Sequence, residues 1–137
     1  METNSLNMLV TEAIWRAQEL EARGIRSELA WMEVSSLEEK LAKLHPASEP
    51  EGQIARRGAV SAALEASDYL RAYALADGYV AEENAPESLK TALQEILEDN
   101  AQAMANRFQY ASKHHSLREA QGLADRLRAA GAFGLAA

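Results

Sequence analysis

A chain of 137 residues is long enough for one core and too short for two comfortable ones. With 47% hydrophobic and 26% charged residues it has the composition of a folded domain rather than a disordered one. Its 14 basic and 21 acidic side chains leave a net charge of -7, which disfavours nonspecific attraction to nucleic acid or to an anionic membrane, and the absence of cysteine excludes disulfides, thiolate metal sites and a cysteine nucleophile.

The first third reads as one long helix. With Leu6 at position a of a heptad, Leu6, Leu9, Ala13, Leu20, Val34, Leu37, Leu41 and Leu44 keep one register, flanked by Val10, Ala17 and Trp31. The frame resumes in phase after a weak middle containing Arg23, Gly24 and Ser27, so a continuous helix over about 4–45 is expected. The rival readings are a break at Gly24 and a new start at Ser36, where Glu39 would complete a capping box. Trp15, Ala22, Ile25, Leu29 and Met32 form a second apolar stripe opposite the first. An ordinary surface helix carries one such stripe. The second either packs on further helices of the same chain or docks on another chain, and its five residues are the candidate interaction site.

The segment from His45 to Glu51 holds Pro46 and Pro50 among small polar residues and is a turn. Ser48 offers an N-cap, with Pro50 in the first turn and Glu51 at the third position, for a helix over about 49–78 whose broad face is Ala55, Ala59, Ala62, Ala66, Tyr69, Leu70, Tyr73 and Ala74. Asn84-Ala85-Pro86-Glu87 repeats this grammar and opens a third helix over about 85–114. Its apolar face is Leu89, Leu93, Ile96, Leu97, Ala101, Met104, Phe108 and Ala111, with Asn100 on or beside it, either to fix register between helices or to hydrogen-bond at the edge, and it ends near His114 and His115. Ser116 and Glu119 box the start of a short fourth helix, about 117–130, which Gly131 ends. Nothing alternates as strands do. The expected fold is all-α: a helical bundle with a long N-terminal helix and three further helices, in a single domain over 1–137.

Chemistry is sparse. The residues three before His45, His114 and His115 are Ala42, Ala111 and Ser112, so no Glu-x-x-His pair exists to hold metals in a bundle. Neither glycine-rich phosphate motif is present, nor any segment resembling a nucleophile elbow. No cofactor and no metal are expected, and most enzyme classes are disfavoured. Glu82, Glu83, Glu87, Glu95, Glu98 and Asp99 make the start and outer face of the third helix acidic, which can imitate a nucleic-acid backbone. Arg56-Arg57 and Arg118, Arg126 and Arg128 read as surface charges paired with acidic neighbours.

Near the end of the third helix, Arg107-Phe108-Gln109-Tyr110-Ala111-Ser112-Lys113-His114 places an Arg and a His about two turns apart. This is similar to the Arg-x(4 to 6)-His motif of the HEPN family of helical RNases and RNA-binding domains. The resemblance implies metal-independent cleavage of RNA, usually across a dimer interface, with His114 as general acid/base and Arg107 on the scissile phosphate. The commonest form has a polar residue directly after the Arg, where this chain has Phe108.

The function expected from these features is a non-enzymatic helical protein-protein interaction module that self-associates through its N-terminal helix, as a structural, adaptor or regulatory subunit. The expected partner is a second copy, in a dimer, or an unlike protein. The alternatives are a HEPN-like RNase using Arg107 and His114, and a small acidic inhibitor that occludes a nucleic-acid-binding site. The start of the chain lacks a basic segment followed by an apolar run, and no stretch approaches about 18 apolar residues, so a cytoplasmic location without a membrane span is expected.

Overall fold

Gly24 stops the first helix. Its φ of 70° lies in the left-handed region, which glycine enters without the penalty a Cβ imposes. The Gly24 N–H donates to the Glu21 carbonyl at 3.0 Å and the Ile25 N–H to the Leu20 carbonyl at 2.9 Å. These two bonds close the last turn in the manner of a Schellman motif. The chain then reverses, so the continuous helix over 4–45 is instead two helices, α1 (Thr3–Ala22) and α2 (Glu28–Leu44). Phase across the break therefore does not report continuity: each helix sets its own apolar stripe by what it packs against. Ser36, the other rival start, lies inside α2.

The same device recurs without a glycine. The helix expected over 49–78 is also two, α3 (Pro50–Glu65) and α4 (Tyr69–Val80). Between them Ser67 has φ 60°, its N–H donating to the Leu64 carbonyl and that of Asp68 to the Ala63 carbonyl, both at 2.9 Å. Asp68 then caps α4, its Oδ1 accepting from the Arg71 N–H at 3.1 Å. The break shifts the phase of the buried face: Ala72, Ala76 and Tyr79 are buried, whereas Leu70 is 85% exposed and Ala74 is also exposed. At the start of α3 the cap is Glu49, with extended backbone and Pro50 following, and not Ser48, which is exposed.

The computed structural model describes residues 3–114, with side chains through residue 109. Among them are five helices and no strand, the fifth being α5 (Glu87–His114), so the expected count of four is too low. The expected fourth helix, 117–130, and its Ser116 cap lie outside the described residues. The start of α5 is three residues beyond Asn84, and the carbonyl that accepts its first helical bond is that of Pro86, from the Lys90 N–H at 3.2 Å. Contacts divide the chain into two compact units, Met1–Ile96 and Leu97–Ala137.

In the first unit α2 is central, packing on α1 and on α3, and α3 packs on α4. Ala13 and Ala17 of α1, Val34 of α2 and Ala62 of α3 form one buried cluster, with Ile14, Trp31 and Leu37 against it. Small side chains dominate these contacts: Ala55, Ala59, Ala63 and Ala72 are fully buried. Their size lets helix backbones approach closely, and the Ser35 Oγ of α2 accordingly donates to the Ala59 carbonyl of α3 at 2.8 Å. Gly52 marks a second close approach, since a methyl group there would collide with the Pro46 carbonyl. Leu89 and Leu93, at the start of α5, are the bulkiest fully buried side chains. In the second unit, Leu97, Met104 and Phe108 are half-buried along α5, and Asn100 Nδ2 lies 3.5 Å from Met104 Sδ, which fits an edge position.

Candidate functional site

Every residue of the second apolar stripe is at the surface. Trp15 is 68% exposed, Ile25 52%, Leu29 82% and Met32 40%, and Ala22 is exposed too. Met8, 65% exposed, extends the α1 part of the stripe, because Met8, Trp15 and Ala22 are seven residues apart and lie opposite the buried Leu6, Val10, Ala13 and Ala17. Leu29 likewise lies opposite the buried set of α2, and Ile25 sits in the connection between the two helices. These large apolar side chains thus stand on the exposed faces of α1 and α2 and in the connection between them. Salt bridges of mixed sign stand beside them: Arg16 with Glu33 across the hairpin at 3.0 Å, Arg23 with Glu19 at 2.7 Å, and Arg26 with Glu28 at 3.6 Å. The backbone N–H of Glu28, in the first turn of α2, holds its carboxyl below the ordinary value, with Arg26 adding to the effect.

Inside the first unit a polar network joins α2, α3 and α4. Arg56 is only 6% exposed, so its reading as a surface charge is corrected, although its pairing with an acidic neighbour holds. Its Nε and Nη2 grip the two oxygens of Glu82 at 3.1 and 2.9 Å, and its Nη1 donates to the carbonyls of His45 and Gly52, both at 2.9 Å. The guanidinium also lies over the Tyr79 ring, 5.4 Å from the centroid. Beside it, Arg71 donates to Ser35 Oγ at 2.9 Å and to Glu39 at 2.8 Å. Burial, reinforced by the Glu39 carboxylate, pushes the Tyr79 phenol up to about 12, so it stays protonated. A cavity of about 330 Å³ opens here, lined among others by Glu39, Lys43, Arg56 and Tyr79. Both arginines are occupied by carboxylates and main-chain or hydroxyl oxygens, which makes the network a tie between helices and not a free anion site.

The remaining candidates are scattered. Arg107 is exposed on α5, and α5 continues unbroken to His114, whose side chain lies outside those described. Of the acidic run, Glu82 is taken up by Arg56 and Glu87 stands 3.5 Å from Lys90, while Glu83, Glu95 and Asp99 are exposed. Among the described residues no group of three His, Cys, Asp or Glu converges as a metal site, and no helix is long and apolar enough to cross a membrane.

No protein-family model matches the chain, and neither does any curated protein or solved structure. The geometry therefore carries the functional reading by itself.

Sequence patterning carried a signal for Arg56 that composition did not. Gly52, Ala55, Arg56, Ala59, Val60 and Ala63 recur at intervals of three and four, so Arg56 stands inside the buried stripe of α3. Ser35 and Glu38 stand in the same way among Val34, Leu41 and Ala42 of α2.

Proposed function

We propose that this chain is a non-enzymatic helical interaction module, a structural, adaptor or regulatory subunit that self-associates through the α1–α2 hairpin. The observation that carries the reading is the exposure of Trp15, Ile25, Leu29 and Met32, with Met8, among the described residues; Leu44, Ile54 and Leu70 are the other exposed large apolar side chains, and none of them belongs to the α1 part of the stripe. Exposed large apolar side chains on neighbouring helices favour association, and an exposed Trp is a typical interface anchor. The rim of this surface supports a second copy as the occupant. Arg16, Arg23 and Arg26 stand paired with Glu33, Glu19 and Glu28, so the patch carries both signs in balance, with no like-charge excess to oppose its own image about a two-fold axis.

The test compares charges placed on the patch and in the core. Leu29→Glu and Trp15→Glu should leave helicity intact by circular dichroism and lower the sedimentation mass to that of a monomer. Val34→Glu, at a position 2% exposed, should instead unfold the chain by burying an unpaired charge. Patch variants that sediment as the wild type does would count against the proposal.

A further inference from the structure

A second cavity, of about 440 Å³, lies among α1, α2 and α3 and has an unusual lining. Glu38 of α2, Glu21 of α1 and Glu65 of α3 contribute carboxylates, Trp31 an indole, Gln18 and Ser61 further polar groups, and no Lys, Arg or His lines it. Glu21 is partly engaged, accepting a hydrogen bond from Trp31 Nε1. Glu38 is different. It is 7% exposed, and it has no hydrogen-bond or ion-pair partner among the described residues. Its carboxylate rests against Gly58, where any Cβ would displace it, so α3 is shaped to leave room for this group. A largely buried carboxylate with neither donor nor cation from the described residues is poorly compensated, and its oxygens open onto a space large enough to admit a counter-charge.

We propose that this cavity binds a small organic cation of the alkylammonium class, with Glu38 as its buried counter-charge and Glu21 and Glu65 at the more exposed rim. An ammonium entering the cavity would gain an ion pair with Glu38 and contact with an aromatic wall at Trp31, while its methylene groups would meet Ile14, Val34 and Ala62. The lining selects such a ligand over a divalent metal ion, which needs several oxygens in close convergence, and no such group exists among the described residues. A flexible diammonium suits the lining better than a single charge, because one end can sit at Glu38 and the other at the rim carboxylates. Binding is coupled to pH as well. Desolvation raises the Glu38 carboxyl to about 7, and the titratable groups facing it across the cavity, Glu21 and Glu65, are themselves acidic and offer no compensating charge. The cation therefore binds as Glu38 loses its proton, and proton release approaches one for each cation bound as the pH falls below neutral.

The probe is 1,4-diaminobutane, titrated calorimetrically into the wild-type chain at pH 6 and pH 8 in buffers of differing ionisation enthalpy. Saturable one-to-one binding is expected, tighter at pH 8 by roughly tenfold and accompanied by proton release at pH 6. Glu38→Gln, nearly isosteric, should weaken binding at pH 8 by at least about tenfold and abolish the proton release. Glu12→Gln, which makes the same change in net charge at an exposed position of α1, should leave both unchanged. Absence of saturable binding, equal binding by Glu38→Gln, or equal weakening by Glu12→Gln would overturn the assignment, as would equally effective competition by magnesium. Circular dichroism of each variant separates loss of binding from loss of fold.

Discussion

At Arg56, what matters is what its removal leaves behind. Arg56→Ala strips the Glu82 carboxylate of its bidentate partner and takes a donor from the carbonyls of His45 and Gly52, where the α2–α3 turn and the start of α3 meet the end of α4. Breaking a buried pair in this way should destabilise the fold by about 3 kcal/mol or more, read as a lowered urea midpoint. Arg56→Lys should recover only part, since one ammonium cannot serve a carboxylate and two carbonyls with the fixed fork of a guanidinium. Glu38 poses the opposite problem, a buried group with too few partners. Its carboxyl is raised from 4.5 to about 7 in the folded chain, so the folded state holds the proton more tightly than the unfolded one. The resulting stability is fully present below about pH 4.5 and is lost as pH rises through about 7, a change on the order of 3 kcal/mol. Relative to wild type, Glu38→Gln should therefore be near neutral at pH 4.5 and stabilising at pH 8. A stability difference that stays constant across this range would contradict the burial argument.

At the scale of elements, the two helix breaks are the points where reading the sequence and seeing the structure diverge most. Gly24 was visible as a weak point, but the heptad frame on either side of it argued for continuity, and the frame was misleading because α1 and α2 each took its phase from its own packing. Gly24→Ala meets nothing within 4 Å, so its cost is conformational, about 1 kcal/mol for holding a Cβ at φ 70°. Ser67 gave less warning: neither Gly nor Pro marks the turn, and an alanine-rich sequence on both sides favours helix. Asp68 with its cap on Arg71 N–H was the available signal. Ser67→Gly should stabilise the chain by about 0.5 kcal/mol, the relief of a left-handed serine partly offset by the entropy glycine adds to the unfolded state. The all-helical class, the turn at Pro46 to Pro50 and the long α5 were legible because proline placement and apolar period agreed there, although the caps expected at Ser48 and Asn84 fell instead at Glu49 and nearer Glu87. The Arg56 and Glu38 sites were hidden from composition because charged residues default to the surface, and only their place within stripes of buried alanine and valine reveals otherwise.

For the molecule as a whole, the sequence singled out the second stripe as a set of residues but left open whether neighbouring helices covered it. The α2 helix does have neighbours on more than one side, yet they are α1 and α3, and they leave Trp15, Ile25, Leu29 and Met32 at the surface. Their exposure to water is what association would relieve, at roughly 25 cal/mol for each Å² of apolar surface covered, against the entropy of joining two chains. The most direct test is sedimentation equilibrium of the wild-type chain from micromolar to hundreds of micromolar concentration. Self-association through the hairpin predicts a mass that climbs with concentration toward twice 15.0 kDa, whereas a mass that stays at 15.0 kDa throughout would contradict it.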